Sequence, residues 1–380
     1  MAGLYIHYPF CKQACHYCNF HFSTRLEKAT HYHELLIREL ELRSTFLQGD
    51  PVESIYFGGG SPSLLSVQSL ASILEAAQKE LTVKAGCEVT VELNPDDVSS
   101  DYLKSLLDVG VNRVSLGVQS FWSSELQMMH RAHDSGQARE ALDACASLFE
   151  NYSVDLIYGM PGSTMADWSY NLECIRSYDV PHLSAYALTV EPKTVLAHQV
   201  AQGSIRLLPE AVVEAQYVEL LSQTEALGLE NYEFSNFGRS GFHSINNSNY
   251  WKRKPYLGIG PGAHSYDGAF RRSWNVSNNK RYAKGVETQN LDFSEEVLSK
   301  KDCFNETIMT GLRTQSGVQR QQIFQDFGPT YAAHLEEQAY PHIMDKNLFW
   351  DGDVLLVTKS AKFLTDGIAA DLFLVNVDSL

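Results

Sequence analysis

"LYIHYPFCKQACHYCNFHF", residues 4–22, joins two signals in one short stretch. Leu4 to Tyr8 is apolar and aromatic enough to form a strand, and the strand runs directly into Cys11, Cys15 and Cys18. A spacing of n, n+4 and n+7 in a tight loop can turn three sulfurs toward one centre. The chain holds only seven cysteines in 380 residues, so placing three of them here calls for a chemical reason. A disulfide with a spare thiol makes little sense in a reducing compartment. Zinc needs a fourth ligand, which His7, His16 or His21 could supply, although structural zinc usually uses two paired knuckles. An iron–sulfur cube of four irons held by three cysteines leaves one iron open for a small ligand.

The bulk composition narrows the setting. Hydrophobic residues make up 44% and charged residues 20%, which supports a sizeable core. With 30 basic against 46 acidic residues the net charge is −16, and nucleic acid is not an expected partner. The basic strip "YWKRKPY" at 250–256 is too short to change this. The first ten residues lack the pattern of a signal peptide, and no run approaches the roughly 18 apolar residues of a membrane span. The other four cysteines, Cys87, Cys145, Cys174 and Cys303, are scattered. A reducing, cytoplasmic setting is therefore expected.

Outward from the cysteines the chain alternates short apolar runs with amphipathic stretches. Strands are expected at 4–8, 54–59, 88–94, 113–119, 154–160 and 182–189. Between them, Leu70, Ile73, Leu74, Ala77 and Leu81 fall on one helical face, as do Ala138, Ala141, Leu142, Cys145 and Leu148. Thr164 followed by Asp167 looks like a helix start, and Gly110 like a stop. Six such βα units lie in a parallel sheet, either partly closed as a barrel or open and doubly wound, with function at the strand C-termini. Gly58–Gly60, Glu92 with Asn94, Gln119 and Tyr158–Gly159 punctuate those ends. From about 240 the sequence turns to Asn-, Gly- and aromatic-rich loops. Helices and a hairpin at Asp351-Gly352 then suggest a smaller winged module, closed by a short helix at 363–373. "GIGPGA" at 258–263 does not open a βαβ unit and is not a dinucleotide fingerprint.

"CKQACHYC" (11–18) resembles the CxxxCxxC signature of the radical S-adenosylmethionine (SAM) superfamily, and it does not stand alone. "YFGGGSPSLL", "VTVELNPDD", "VSLGVQSF", "MHRAH", "VDLIYGMPG" and "LSAYALTVEP" follow in the order seen in one branch of that superfamily, and "GLRTQSGV" and "FLTDGIAADLF" resemble its C-terminal region. That branch contains oxygen-independent coproporphyrinogen III oxidase and the HemW-type heme chaperones. The resemblance implies an α/β fold: a partial (β/α)6 TIM-like barrel over residues 1–235, a connecting region over 236–300, and a C-terminal module over 301–380. It implies a 4Fe–4S cluster on Cys11, Cys15 and Cys18, with SAM on the open iron. Tyr5 and Tyr17 match aromatic contacts to SAM, the latter on the adenine. Gly59, Gly60 and Ser61 match the segment that accepts the methionyl ammonium, where a Cβ would block close approach. Glu92 matches the ribose acceptor. Gln119, Arg131 and Asp155 match further contacts, and Ala187 a backbone contact beside the adenine. A reduced cluster in this superfamily passes one electron to the sulfonium and cleaves SAM.

Two features distinguish the branch's two activities. The oxidase carries a fourth cysteine two residues after the third, where this chain has Phe20, and a long segment before the cluster, where this chain has ten residues. Both favour the heme chaperone over the oxidase. The implied partners are then heme, heme-acceptor proteins (respiratory and membrane-associated ones among the candidates) and an electron donor. One departure stands out. Such chaperones carry HNxxYW, whose histidine is implicated in heme binding, whereas this chain has "NNSNYW" with Asn246 at that place. Asparagine does not normally ligate heme iron. His243 and His264 are near enough in sequence to substitute, and Tyr250 and Trp251 are expected to anchor the loop.

Overall fold

The computed structural model describes residues 1–375, so the last five residues of the 301–380 segment lie outside the described residues. Six parallel strands form its centre: β1 (Ala2–Tyr8), β2 (Val52–Gly59), β3 (Val83–Leu93), β4 (Arg113–Gln119), β5 (Tyr152–Tyr158) and β6 (His182–Ala187). They neighbour one another in chain order without reversal. A doubly wound sheet reverses its order, so this is the wall of a βα barrel. These strands are covered on both faces, which is why they appear in the sequence as near-continuous apolar runs. Leu4 and Ile6 of β1, Phe57 of β2 and Leu116 of β4 are fully buried. The register brings the carboxyl ends level: Tyr8 lies opposite Gly59, Leu93 opposite Leu116, and Tyr158 opposite Ala187.

The intervening helices follow the expected periodicity. In Val67–Glu80, Leu70, Ile73, Leu74 and Ala77 are the buried face, with Leu81 as the capping residue. Thr164 and Asp167 form a reciprocal capping box at the start of Met165–Ser177, the Asp167 carboxylate accepting from the Thr164 N–H at 2.8 Å. Gly110, at φ +96°, follows the helix Ser100–Asp108.

The stretch from 236 to 300, which composition marks as loops, is instead woven into the sheet. β7 (Glu230–Glu233) and β8 (Asn236–Gly238) extend one edge, β8 running antiparallel to β6. β9 (Tyr256–Ile259), β10 (His264–Tyr266), β11 (Arg271–Asn275) and β12 (Phe293–Val297) extend the other, β9 running parallel to β1. The wall is thus widened to twelve strands rather than closed. The glycines that look like loop residues are there for close approach. A Cβ on Gly258 would lie 2.0 Å from the His264 carbonyl oxygen, and one on Gly260 (φ +101°) 2.2 Å from that of His7.

The C-terminal module has its own core, with Phe304, Ile308, Ile323, Leu335, Leu355 and Leu372 buried together. Helices Lys300–Leu312, Arg320–Phe327 and Pro329–Met344 pack with a small sheet of β13 (Val318–Gln319), β14 (Leu348–Asp351) and β15 (Val354–Val357). Asp351 pairs with Val354, so the hairpin turn is Gly352–Asp353, one residue beyond the expected place. Among the described residues no helix is long and apolar enough to cross a membrane.

Gly260→Ala is expected to destabilise the protein by about 3 kcal/mol or more, because overpacking and left-handed strain coincide there. Gly110→Ala, at a similar φ but with nothing within 4 Å of the added carbon, is expected to cost only about 1–2 kcal/mol. Chemical denaturation of the two variants tests the difference; equal losses would refute the close-approach argument.

Candidate functional site

The cysteine loop is pinned at its base before it reaches the first thiol. The Cys11 N–H donates to the Ser23 carbonyl (3.1 Å) and the Ser23 N–H to that of Pro9 (2.8 Å), so the loop closes on itself. The end of β2 then fastens it from the side: the Gly60 N–H donates to the Tyr8 carbonyl at 2.8 Å and the Ser61 N–H to the Phe10 carbonyl at 2.7 Å. A Cβ on Gly60 would sit 2.5 Å from that Phe10 oxygen, and one on Gly59 (φ +109°) 2.7 Å from the His7 ring. Glycine is required at both places for the two segments to meet.

His7 is fixed in its neutral form. Burial pulls its pKa down to about 4; Nε2–H donates to the His21 carbonyl at 2.8 Å, and the Tyr5 hydroxyl donates to Nδ1 at 3.2 Å. His16 stacks on His130 at 4.7 Å and bonds the Met128 carbonyl, while His21 Nε2 bonds Asn279 Oδ1 at 2.5 Å. None of these three histidines is among the residues lining the cavity beside the cysteines, so none is placed as a fourth ligand.

That cavity has a volume of about 650 Å3 and sits at the carboxyl ends of β1–β6. Twelve of the thirteen residues singled out in the sequence line it: Cys11, Cys15, Cys18, Tyr17, Gly59, Gly60, Ser61, Glu92, Gln119, Arg131, Asp155 and Ala187. Tyr5 is the exception. Its ring stacks on Tyr56, 6.2 Å between centroids, and it is Tyr56 that reaches the cavity.

All three cysteines are free and half-buried. Burial pushes the Cys11 thiol up to about 12 and raises that of Cys18, so both hold their protons until something positively charged replaces them. Arg131 supplies positive charge at the third: its Nη1 lies 3.5 Å from Cys15 Sγ. The guanidinium is also held by Asn94 Oδ1 (2.7 Å) and the Gly117 carbonyl (3.0 Å), while its buried Nε has no partner. Gly117 makes the room, since a Cβ there would come within 2.9 Å of Gln119 Nε2 and 3.4 Å of Arg131. Three half-buried thiols thus line one cavity with a cation beside one of them; among the described residues no three His, Cys, Asp or Glu side chains are already grouped to hold a single metal ion, and the spare N–H of Arg131 suits an anionic ligand.

The remaining wall is acidic. Glu92, at the end of β3, accepts from the Tyr56 hydroxyl at 2.8 Å, and burial raises its pKa to about 7. Asp155 on β5, likewise raised by burial, accepts from Ser115 at 3.1 Å. Gln119 adopts φ +65°, a left-handed conformation at an irregularity in the β4–β5 register that turns its side chain into the cavity. Several lining residues escaped the sequence analysis as site residues: Tyr56, Arg113, Ser115 and Ser184. They are inward positions of strands chosen by register, with no motif of their own. Asn94, noted only as strand punctuation, joins Ser61 to Arg131 by hydrogen bonds of 2.8 and 2.7 Å.

Residues 5–174 match the Radical SAM superfamily. The chain is 33% identical to the heme chaperone HemW of Bacillus subtilis (strain 168), covering 86% of this chain and 87% of that protein. It is 34% identical to the heme chaperone HemW of Lactococcus lactis subsp. lactis (strain IL1403), covering 96% and 97%. It is also 35% identical to radical S-adenosyl methionine domain-containing protein 1, mitochondrial, of Mus musculus, covering 86% and 76%. In structure it matches the coproporphyrinogen III oxidase HemN of Escherichia coli with a TM-score of 0.84 over 98% of this chain and 90% of that one; at 22% identity this shows a shared fold. From the matched cysteine-loop region and these full-length relatives, the chain belongs to the HemW family of the radical SAM superfamily.

Proposed function

We propose that the protein is a heme chaperone that binds heme and passes it to acceptor proteins, built on a 4Fe–4S and SAM centre at the carboxyl ends of the barrel strands. The observation that supports the centre is that Cys11, Cys15 and Cys18 line a single cavity together with the glycine-rich end of β2 and a polar wall. When bound, the cluster supplies one electron and SAM a reducible sulfonium.

The chain's own residues do the positioning. Cys11, Cys15 and Cys18 hold the cluster, with Arg131 stabilising the thiolate of Cys15 through its 3.5 Å contact. Gly59, Gly60 and Ser61 present backbone to the ammonium of SAM because no Cβ stands in the way. Glu92 accepts the ribose hydroxyls. Gln119, Arg131 and Asp155 complete the polar contacts, with the unpartnered Nε of Arg131 free for the carboxylate. Tyr17 packs against the cluster of Leu126, Met129, Ile157 and Met160 and offers its ring to the adenine near Ala187. Tyr5 acts at one remove, supporting Tyr56.

The branch's other activity, porphyrinogen oxidation, is favoured only by the fold similarity. Phe20 stands where the oxidase has its fourth cysteine, and its ring is 67% exposed. The heme chaperone name of the full-length relatives supports the first reading. Asn246, whose side chain does not normally ligate heme iron, is 6% exposed and lines neither of the two large cavities, which supports a heme ligand elsewhere in this chain.

Three outcomes are expected. Anaerobic reconstitution loads about four irons per chain, and Cys15→Ala reduces this to near zero; undiminished iron in the variant would refute the cluster assignment. Glu92 binds a proton in the folded state between its ordinary pKa and about 7, so its ionisation lowers stability as pH rises through that window, whereas SAM needs the ionised form. Glu92→Gln is therefore expected to raise the melting temperature of the unloaded protein by a few degrees at pH 8. It is also expected to weaken SAM binding about tenfold, in calorimetry at the same pH. Finally, coproporphyrinogen III with SAM and a reductant is expected to yield no protoporphyrinogen; its formation would favour the oxidase.

A further inference from the structure

A second cavity, of about 920 Å3, opens between the widened edge of the sheet and the C-terminal module. It is larger than the 650 Å3 cavity beside the cysteines and falls within the range of small-molecule sites. Aromatic side chains from both sides line it, Trp251, Tyr266 and Phe270 from the sheet region and Phe327 from the module. Walls of this kind suit a flat apolar ring system.

Four lining residues have the chemistry of an iron ligand, and three are already engaged: the Cys303 thiol and the Tyr266 hydroxyl both donate to the Ala269 carbonyl, at 3.8 and 2.9 Å, and the Tyr232 hydroxyl bonds His182 Nε2 at 2.8 Å, which leaves His243. His243 lies flat on Tyr232, 4.2 Å between ring centroids at an interplanar angle of 16°. Gly238 lies against its edge, and a Cβ there would come within 3.1 Å of His243 Cδ2. Its Nε2 is buried without a hydrogen-bond partner and 3.3 Å from a carboxylate oxygen of Glu230. A carboxylate behind one ring nitrogen is the arrangement that orients metal-bound imidazoles and leaves the other nitrogen for the metal.

Charge completes the site. Lys252 and Lys300 are exposed and line the cavity. Neither forms an ion pair among the described residues, although Lys300 lies 5.6 Å over the Tyr331 ring. Arg253 is already held by the Tyr266 hydroxyl (2.9 Å) and Thr307 (3.0 Å), and Asp326 is the one carboxylate in the lining, bonded by Gln322 at 2.8 Å. Two unpaired ammonium groups in a chain of net charge −16 form a local exception fitted to two carboxylates on one ligand.

From this juxtaposition we infer that heme seats in the second cavity, with the His243 imidazole as its iron ligand and Lys252 and Lys300 pairing its propionates. The inference rests on the heme-chaperone reading and replaces Asn246 as the source of the ligand. The short helix Ile245–Trp251 touches both sites, Asn247 lining the first cavity and Trp251 the second.

The test is a Soret titration of the full-length, cluster-loaded protein with hemin and, separately, with iron-free protoporphyrin IX by fluorescence. His243→Ala is expected to weaken hemin binding by about tenfold or more and to shift the Soret band, while protoporphyrin affinity stays within about twofold. Lys252→Glu with Lys300→Glu is expected to weaken both ligands severalfold. His264→Ala is the comparison variant and should change neither. Hemin affinity and Soret position unchanged in His243→Ala would overturn the ligand assignment while leaving the chaperone reading intact. Equal loss of hemin and protoporphyrin would reduce His243 to a structural role and also overturn it. A wild-type protein that takes up no hemin would overturn the chaperone reading itself. Circular dichroism and iron content of each variant distinguish loss of the ligand from loss of the fold.

Discussion

The site depends on one pair of backbone hydrogen bonds. The Gly60 and Ser61 N–H groups leave the end of β2 and bond the carbonyls of Tyr8 and Phe10, so the turn after one strand grips the loop after its neighbour. The two segments can come this close only because residues 59 and 60 lack side chains, and the space on the other side is filled by His7. His7 is 6% exposed and neutral, and its two nitrogens are spent on Tyr5 of β1 and on the His21 carbonyl of the loop. Burial disfavours a charged imidazole there, and the hydrogen bonds select the uncharged tautomer that donates to the His21 carbonyl. The placement of three thiols in a half-buried loop of irregular backbone follows from this clamp.

The same neighbourhood carries an electrostatic cost. Glu92, Asp155 and Arg131 are withdrawn from water around the cavity, and the two carboxyls have pKa values raised by that withdrawal. Hydrogen bonds offset part of this: Tyr56 and the Gly59 N–H donate to Glu92, Ser115 reaches both oxygens of Asp155 with Ser153 and Ser184 beside it, and Arg131 keeps an unpartnered N–H. A wall arranged this way is less stable empty than an apolar one and better suited to a ligand with complementary groups. Tension of this kind is what separates a binding site from a packed core.

Much of this was visible in the sequence because the physics is local. Both faces of the central strands are covered, so Leu4, Ile6, Phe57 and Leu116 belong to apolar runs that stand out, and the polar residues closing those runs mark the strand ends. Thr164 and Asp167 announce a helix start by their own chemistry. What stayed hidden depends on partners far away in the chain. Tyr56, Arg113, Ser115 and Ser184 face the cavity because neighbouring strands fix their register, and nothing in their immediate surroundings says so. Gly258 and Gly260 look like loop glycines until the backbones of His264 and His7 are seen pressed against them. Tyr5 stacks on Tyr56, and only Tyr56 of the two lines the cavity, a distinction set by strand pairing and invisible in the motif.

β1 pairs with β2 on one side and with β9, at residues 256–259, on the other. β1 therefore lacks one of its two neighbours until residues 256–259 have been made. Contacts of such long sequence separation are slow to form and leave early segments exposed meanwhile. The cysteine loop that follows this strand is thus anchored on a β1 whose second edge is closed from far along the chain.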